Sequence, residues 1–236
     1  MTANEMKYDF LLKYDKLTNF NAPGYTDKEI GRILTSAQDE FIHTRYAPKG
    51  NKYREGFEET ERRSKDLAEL IRGPKNSSNS LVTSISTAQD ETVENGLFFD
   101  IPEDVLYVIS EEAVVDVKNC KIEQYLRIPV KRVTHDYYTI NKRNPNRRPY
   151  IDGTDGLVWR IDYSKSQSAT PTRRIELVTD GSFNVIEYYL RYIKKPIEII
   201  PYLPLNQGGD GTTTILQSCE LDDSTHPEIV NIAVRV

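Results

Sequence analysis

The sequence predicts an α+β protein: N-terminal helices and a docked C-terminal helix, with a mainly antiparallel β part inserted between them. Three observations predict it. Apolar residues recur at helical spacing over the first 72 positions, the period falls to about two from residue 81, and a last helical stripe follows Thr225. The boundaries drawn are 1–75 with 216–236 for the helical part and 81–204 for the β part. A chain of 236 residues can bury a continuous core in one or two domains.

The first helix is read from Met6, Phe10, Leu11, Tyr14 and Leu17, and Pro23-Gly24 breaks it. Thr26 and Glu29 have capping-box spacing, and Ile30, Ile33, Leu34, Ala37, Phe41 and Ile42 then share one face until Pro48. A third helix is expected over Gly56–Arg72, with Glu58 before Arg62, Glu59 before Arg63 and Glu61 before Lys65 in the favourable i,i+4 order. Its thin apolar stripe makes it a solvated face or a polar subunit interface. Gly73-Pro74 ends it, and 75–80 reads as a linker.

Strands are expected at 81–87, 97–101, 105–109, 114–117, 122–129, 157–163, 175–179 and 185–193, all rich in β-branched and aromatic residues. Asn95-Gly96, Asp152-Gly153, Asp155-Gly156 and Asp180-Gly181 supply turns. A short helix is expected near 133–141, followed by the basic loop 142–149. Gln207 to Gly211 reads as a loop. In the final helix Thr225 and Glu228 again have capping-box spacing, Pro227 fits the first turn, and Ile229, Ile232, Ala233 and Val236 form a stripe. About 12 residues do not hold a helix in water, so this one must dock on the N-terminal helices.

No apolar run approaches the roughly 18 residues of a membrane span, and the N-terminus lacks the pattern of a secretory signal. Cys120 and Cys219 are far apart and read as reduced thiols. A formal net charge of -5 argues against a protein whose main task is gripping phosphates. The charge is polarised: residues 88–123 hold ten carboxylates against Lys118 and Lys121, whereas 131–149 hold six cations against Asp136. Tyrosine, with 15 copies against 7 phenylalanines, suits interfaces because its large apolar ring ends in a polar tip.

The case for catalysis is thin. His43, His135 and His226 fall singly, so a metal site would have to gather distant ligands. Thr134-His135-Asp136 could supply a base with an orienting carboxylate, but Thr134 reads at least as well as a helix cap and no strained nucleophile elbow accompanies it. Asp152 to Gly156 lacks the later ligands of a calcium loop, and Gly208 to Gly211 lacks the lysine of a phosphate loop. No cofactor is expected. A hydrolase or nuclease using His135 and nearby carboxylates remains the alternative, with a nucleic-acid-binding module using 142–149 behind it.

Gly24-Tyr-Thr-Asp-Lys-Glu-Ile30, Ala37-Gln-Asp-Glu-Phe41 and Gly56-Phe-Glu-Glu-Thr-Glu-Arg-Arg63 together resemble the head-to-tail connector proteins of short-tailed bacteriophages, including the crAss-like group. Val130 to Asp136, Asn144 to Pro149, Val158 to Asp162, Tyr188 to Pro196, Ser218 to Leu221 and His226 to Val230 look like further landmarks in the same order. The resemblance implies a non-enzymatic tail adaptor of the virion, similar to the tail tubular A proteins and made in the host bacterial cytoplasm. It also implies twelve copies in a ring beneath the portal protein and next to a further tail ring or nozzle, with double-stranded DNA passing through without sequence-specific binding.

A ring of identical subunits needs two different, complementary surfaces on each. The acidic and basic stretches could provide them. Lys142, Arg143, Arg147 and Arg148 are the expected partner-binding residues, on a loop with little to bury. Glu58, Glu59, Arg62, Arg63, Lys131 and Arg132 are the candidates for a subunit interface.

Overall fold

The computed structural model describes residues 1–18, 24–47, 57–73, 95–117, 125–153, 155–165, 173–201 and 216–235. The expected linker 75–80, the strand 81–87, the loop 207–211 and Cys120 lie outside them. The chain divides into two compact units, 1–71 with 195–236, and 72–194. This division places residues 195–201, which the boundary drawn at 204 puts in the β part, in the unit that holds the helices.

In the first unit, α1 (Ala3–Thr18) buries Ala3, Met6 and Phe10, and α2 (Asp27–Tyr46) buries Ile30, Leu34, Ala37, Phe41 and Ile42. The capping box at the start of α2 forms: Thr26 Oγ1 accepts from the Glu29 amide at 3.4 Å, and the Thr26 amide donates to Glu29 Oε2 at 2.8 Å. Gly31 allows a close approach on this helix, since a Cβ there would stand 3.0 Å from the Ile199 carbonyl oxygen. Ile199 N–H donates to Thr35 Oγ1 at 3.0 Å and Gln38 Nε2 to the Ile197 carbonyl at 3.3 Å, so polar side chains of α2 hold the extended segment 197–201.

The long helix expected over 56–72 is corrected. The segment is a 3-10 turn (Phe57–Glu59), a short α3 (Glu61–Asp66), a second 3-10 turn (Ala68–Leu70) and a two-residue strand, β1 (Ile71–Arg72). Phe57, Leu67 and Leu70 are buried, and seating all three breaks the helical phase. Glu58 and Glu59 therefore do not share a helix face with Arg62 and Arg63.

α5 (His226–Ala233) packs on α1 and α2, burying Ile229, Val230 and Ala233, while Ile232 is half-buried. Pro227 sits in its first turn as expected, but the capping box does not form. Thr225 Oγ1 donates to the Asp222 carbonyl at 2.8 Å, and Glu228 is drawn to Arg45 at 2.7 Å. An ion pair with a residue on another helix wins over the local cap.

The second unit contains β2 (Gly96–Ile101), β3 (Val105–Val117), β4 (Tyr125–Val133), α4 (His135–Asn141), β5 (Tyr150–Asp152), β6 (Asp155–Lys165), β7 (Arg173–Val178) and β8 (Phe183–Lys194). The strands run in the order β8-β3-β4-β6-β7-β2, with β5 on β6. All these pairings are antiparallel except β4 with β6. In a flat sheet β3 and β2 would be about 19 Å apart, at roughly 4.8 Å per strand. The link Pro102–Asp104 reaches no more than about 14 Å, so the sheet curls. Phe99, Ala113, Val115, Ile175, Leu177, Phe183 and Leu190 meet inside the curl.

β4 changes partner midway. Tyr125–Pro129 pair with β3, and Val130–Val133 pair with β6. Pro129, which has no N–H to give a ladder, stands at the change. Strands expected separately at 105–109 and 114–117 are one strand, β3, with three register shifts. Ser110-Glu111-Glu112 resembles a break in the sequence, but Glu111 is buried against Arg160 and Tyr188.

Candidate partner-binding surface

The β4–β6 pair fixes where the basic residues go. Period two sends neighbouring residues of β6 to opposite faces. Val158 joins the core inside the curl, while Trp159 and Ile161 join Val133 and Val178 in a second cluster. α4 lies over that second face, with the rings of Tyr137 and Tyr138 at 5.6 and 6.3 Å from Trp159. Thr134 caps α4, its Oγ1 accepting from the Tyr137 amide at 3.2 Å.

The cations gather around this aromatic cluster. The Lys131 ammonium lies 5.5 Å from the Tyr137 ring centre and that of Lys142 lies 5.6 Å from Tyr138. After α4 the chain turns tightly: the Arg147 and Arg148 amides donate to the Asn144 carbonyl at 3.1 and 2.9 Å, and the Asn146 amide to Asn144 Oδ1 at 3.1 Å. Arg143, Arg147 and Arg148 are exposed, and none pairs with a carboxylate among the described residues. Ile140, near the end of α4, is 77 % exposed.

Lys142, Arg143 and Arg148, with Tyr138, line one part of a groove of about 230 Å³ whose other residues include Asn95, Thr179 and Asp180. The backbone there is tightly specified. Asn95 has φ 64° and Gly181 φ 88°, and the Thr179 amide donates to the Asn95 carbonyl at 3.2 Å. The Asp180 carboxylate is tied to Ser182 through its Oγ and amide at 2.6 and 2.9 Å. The sequence marked Asn95-Gly96 and Asp180-Gly181 as turns, but their place in this groove follows from β2–β7 pairing.

Other sequence candidates are scattered. Arg132 pairs with Asp162 at 2.7 Å, beside Arg160 and Arg173 at 3.2 and 3.5 Å from the same carboxylate. Arg62 is exposed, 4.0 Å from Glu228. Arg63, a candidate for the subunit interface, is only 8 % exposed. Glu58 is exposed in the 3-10 turn, and the Glu59 side chain lies outside the described residues. Arg45, which no motif or spacing singles out, holds both Asp66 and Glu228, at 3.0 and 2.7 Å.

The buried charges are internally engaged. Glu111 accepts from both Arg160 and Tyr188. Burial alone would lower the Arg160 pKa, but Glu111, Tyr188 and Asp162 outweigh it and hold the guanidinium above its ordinary value. Burial and the Glu111 charge push the Tyr188 phenol upward. Burial likewise raises the Cys219 thiol to about 11, which makes it a poor nucleophile. His135 Nε2 sits 3.2 Å from the Asp162 carbonyl, and its ring meets Tyr163 edge-on at 5.1 Å. Among the described residues no cluster of His, Cys, Asp and Glu could hold a metal ion, and no helix is long and apolar enough to cross a membrane.

A helical unit and a curled sheet, with arginines on one exposed turn that pair with no carboxylate among the described residues, define an α+β protein. The chain belongs to the crAss phage tail ring protein 3/4 family, which it matches over residues 1–236. It is 28% identical over 239 residues to ring protein 4/5 of Bacteroides phage crAss001, an alignment covering 100% of this chain and 92% of that one. It is also 28% identical over 209 residues to ring protein 3 of the same phage, covering 88% of this chain and 82% of the relative. The family is one of structural tail ring proteins of crAss-like phages, and a ring implies self-association.

Proposed function

We propose that the chain is a structural, non-enzymatic subunit of an adaptor ring that links the portal to the tail and encloses part of the DNA conduit. The observation that carries this reading is membership in the tail ring family over the whole chain. The exterior turn bearing Arg143, Arg147 and Arg148 supports it, because arginines that pair with no carboxylate among the described residues are suited to bidentate pairing on a neighbouring protein. Partners in this reading are further copies of the chain, twelve by family resemblance, together with the portal and an adjoining ring or nozzle protein. Lys131 and Arg132 adjoin the same surface, and Glu58 and Arg62 belong to a second one on the helical unit. A net charge of -5 suits a conduit through which double-stranded DNA slides without being held. Electron microscopy of the assembled particle tests the assignment: ring density between portal and tail that fits the two units is the expected result, and its absence there refutes the adaptor role.

A further inference from the structure

The basic groove has a counterpart on the same strand. β2 begins at Gly96, next to groove residue Asn95, and ends at Ile101, where the turn Pro102–Val105 is closed by the Val105 amide on the Pro102 carbonyl at 3.3 Å. Six residues of strand separate the two ends by roughly 20 Å. The turn carries Glu103 and Asp104. Asp104 is occupied, accepting from the Tyr192 hydroxyl at 3.2 Å, whereas Glu103 is exposed and has no hydrogen bond or ion pair among the described residues. Nearby charges are accounted for, with Arg174 3.7 Å from Asp100 and Arg173 3.5 Å from Asp162.

We propose that Glu103 of one copy enters the Lys142–Arg143–Arg148 groove of the next copy, making a head-to-tail contact of the ring. The inference rests on ring formation and adds the occupant of the groove. Complementary groups at opposite ends of one strand are what a heterologous contact requires, since each copy then presents a donor end and an acceptor end. The groove's size and shape favour this occupant over a DNA backbone. Its three cations line about 230 Å³, room for a side chain rather than for a run of phosphates, and they outweigh Asp180, which opposes any anion there. A single carboxylate can meet an arginine bidentately while Lys142 and the second arginine offset its desolvation.

The test is a charge swap in assembled particles, with variants supplied in trans to phage lacking the chain. E103K and R143E/R148E should each reduce incorporation to below about a tenth of wild type, because like charges then face each other. The combined E103K/R143E/R148E chain should recover to within about threefold, since both arginine contacts are reversed on both sides and the two glutamates, with Asp180, outweigh the remaining Lys142. All these positions are exposed, and thermal unfolding of the isolated variants verifies their fold. Normal incorporation of either reversed variant, or a combined variant as defective as its parents, overturns the pairing while leaving the ring reading intact. Particles rescued by wild type that contain the chain but show no ring refute the ring reading itself.

Discussion

Arg45 Nη2 of α2 donates to Glu228 Oε2 of α5 at 2.7 Å, joining two helices whose residues are 183 positions apart in sequence. The same guanidinium lies 3.0 Å from Asp66 and 4.8 Å from the centre of the Phe41 ring, so one side chain ties α2 to both the 57–70 segment and the C-terminal helix. Ile229 and Val230 are fully buried in the helical unit, whose apolar core also includes Met6, Phe10 and Leu34.

Docking of α5 should therefore depend more on apolar burial than on charge. Ile229→Ala is expected to cost about 3 kcal/mol in urea unfolding, from lost burial and the cavity left behind. Ile232→Ser, at a half-buried position, should cost well under half of that. A double-mutant cycle on Arg45→Ala and Glu228→Ala should return a coupling of about 1 kcal/mol, since Glu228 keeps substantial access to water. Equal costs for the two isoleucines would contradict the observed seating of α5.

The Arg160–Glu111–Tyr188 cluster makes a prediction of opposite character. Glu111→Leu alone leaves the buried Arg160 guanidinium with only Asp162 and strands the Tyr188 phenol, and should destabilise by about 3 kcal/mol. Replacing all three, as E111L/R160M/Y188F, should recover most of that loss, because apolar groups of similar volume need no partners. Chemical denaturation measures both, and a triple variant as unstable as the single one would mean that the network is required for the curl of the sheet.

His226 supplies a pH dependence. Burial holds its imidazole below the ordinary histidine value, against the hydrogen bond to the Leu221 carbonyl and the carboxylates of Asp223 and Asp222, which pull upward. The unfolded chain thus takes up a proton at a pH where the folded chain does not. Stability should be level above about pH 6.5 and fall as the pH drops below it, before the carboxylates titrate near pH 4. Thermal unfolding of wild type and His226→Gln between pH 5 and 8 checks this. The slope between about pH 6.5 and 5 should shrink in the variant, and an identical slope would assign it elsewhere.

The isolated chain should be wholly or partly monomeric at micromolar concentration. Its exposed large apolar residues, such as Tyr8, Leu12, Tyr125 and Ile140, are spread over both units and do not form a long run that would force association. A subunit that adds to a growing particle also must not polymerise early. Light scattering decides the matter, and a complete ring formed without any partner would show that assembly is not gated.

The sequence by itself determined what rests on local backbone preference and on the period of burial. The helical stripe of α2 and its Thr26–Glu29 cap, the short α4 behind Thr134, strands β2, β6, β7 and β8 and the docking of the last helix all follow from those two quantities, as does the exposed basic turn rich in Asn and Pro. The tertiary structure decided whatever depends on a partner distant in sequence. Thr225 and Glu228 have the same spacing as Thr26 and Glu29, yet Glu228 goes to Arg45 because an ion pair on a neighbouring helix competes with the cap. Ser110-Glu111-Glu112 falls between the strands expected at 105–109 and 114–117, yet one strand runs through it because Arg160, 49 positions away, pairs with Glu111. The helix drawn over 56–72 fails because three apolar side chains must reach the core out of helical phase. The groove exists because antiparallel pairing of β2 with β7 sets Asn95 beside Thr179 and Asp180, near the cations that follow α4. A one-dimensional pattern reports which side chains seek burial or a special turn; which of them meet is fixed by strand order and curl, where the pairing energies of the whole sheet are settled together.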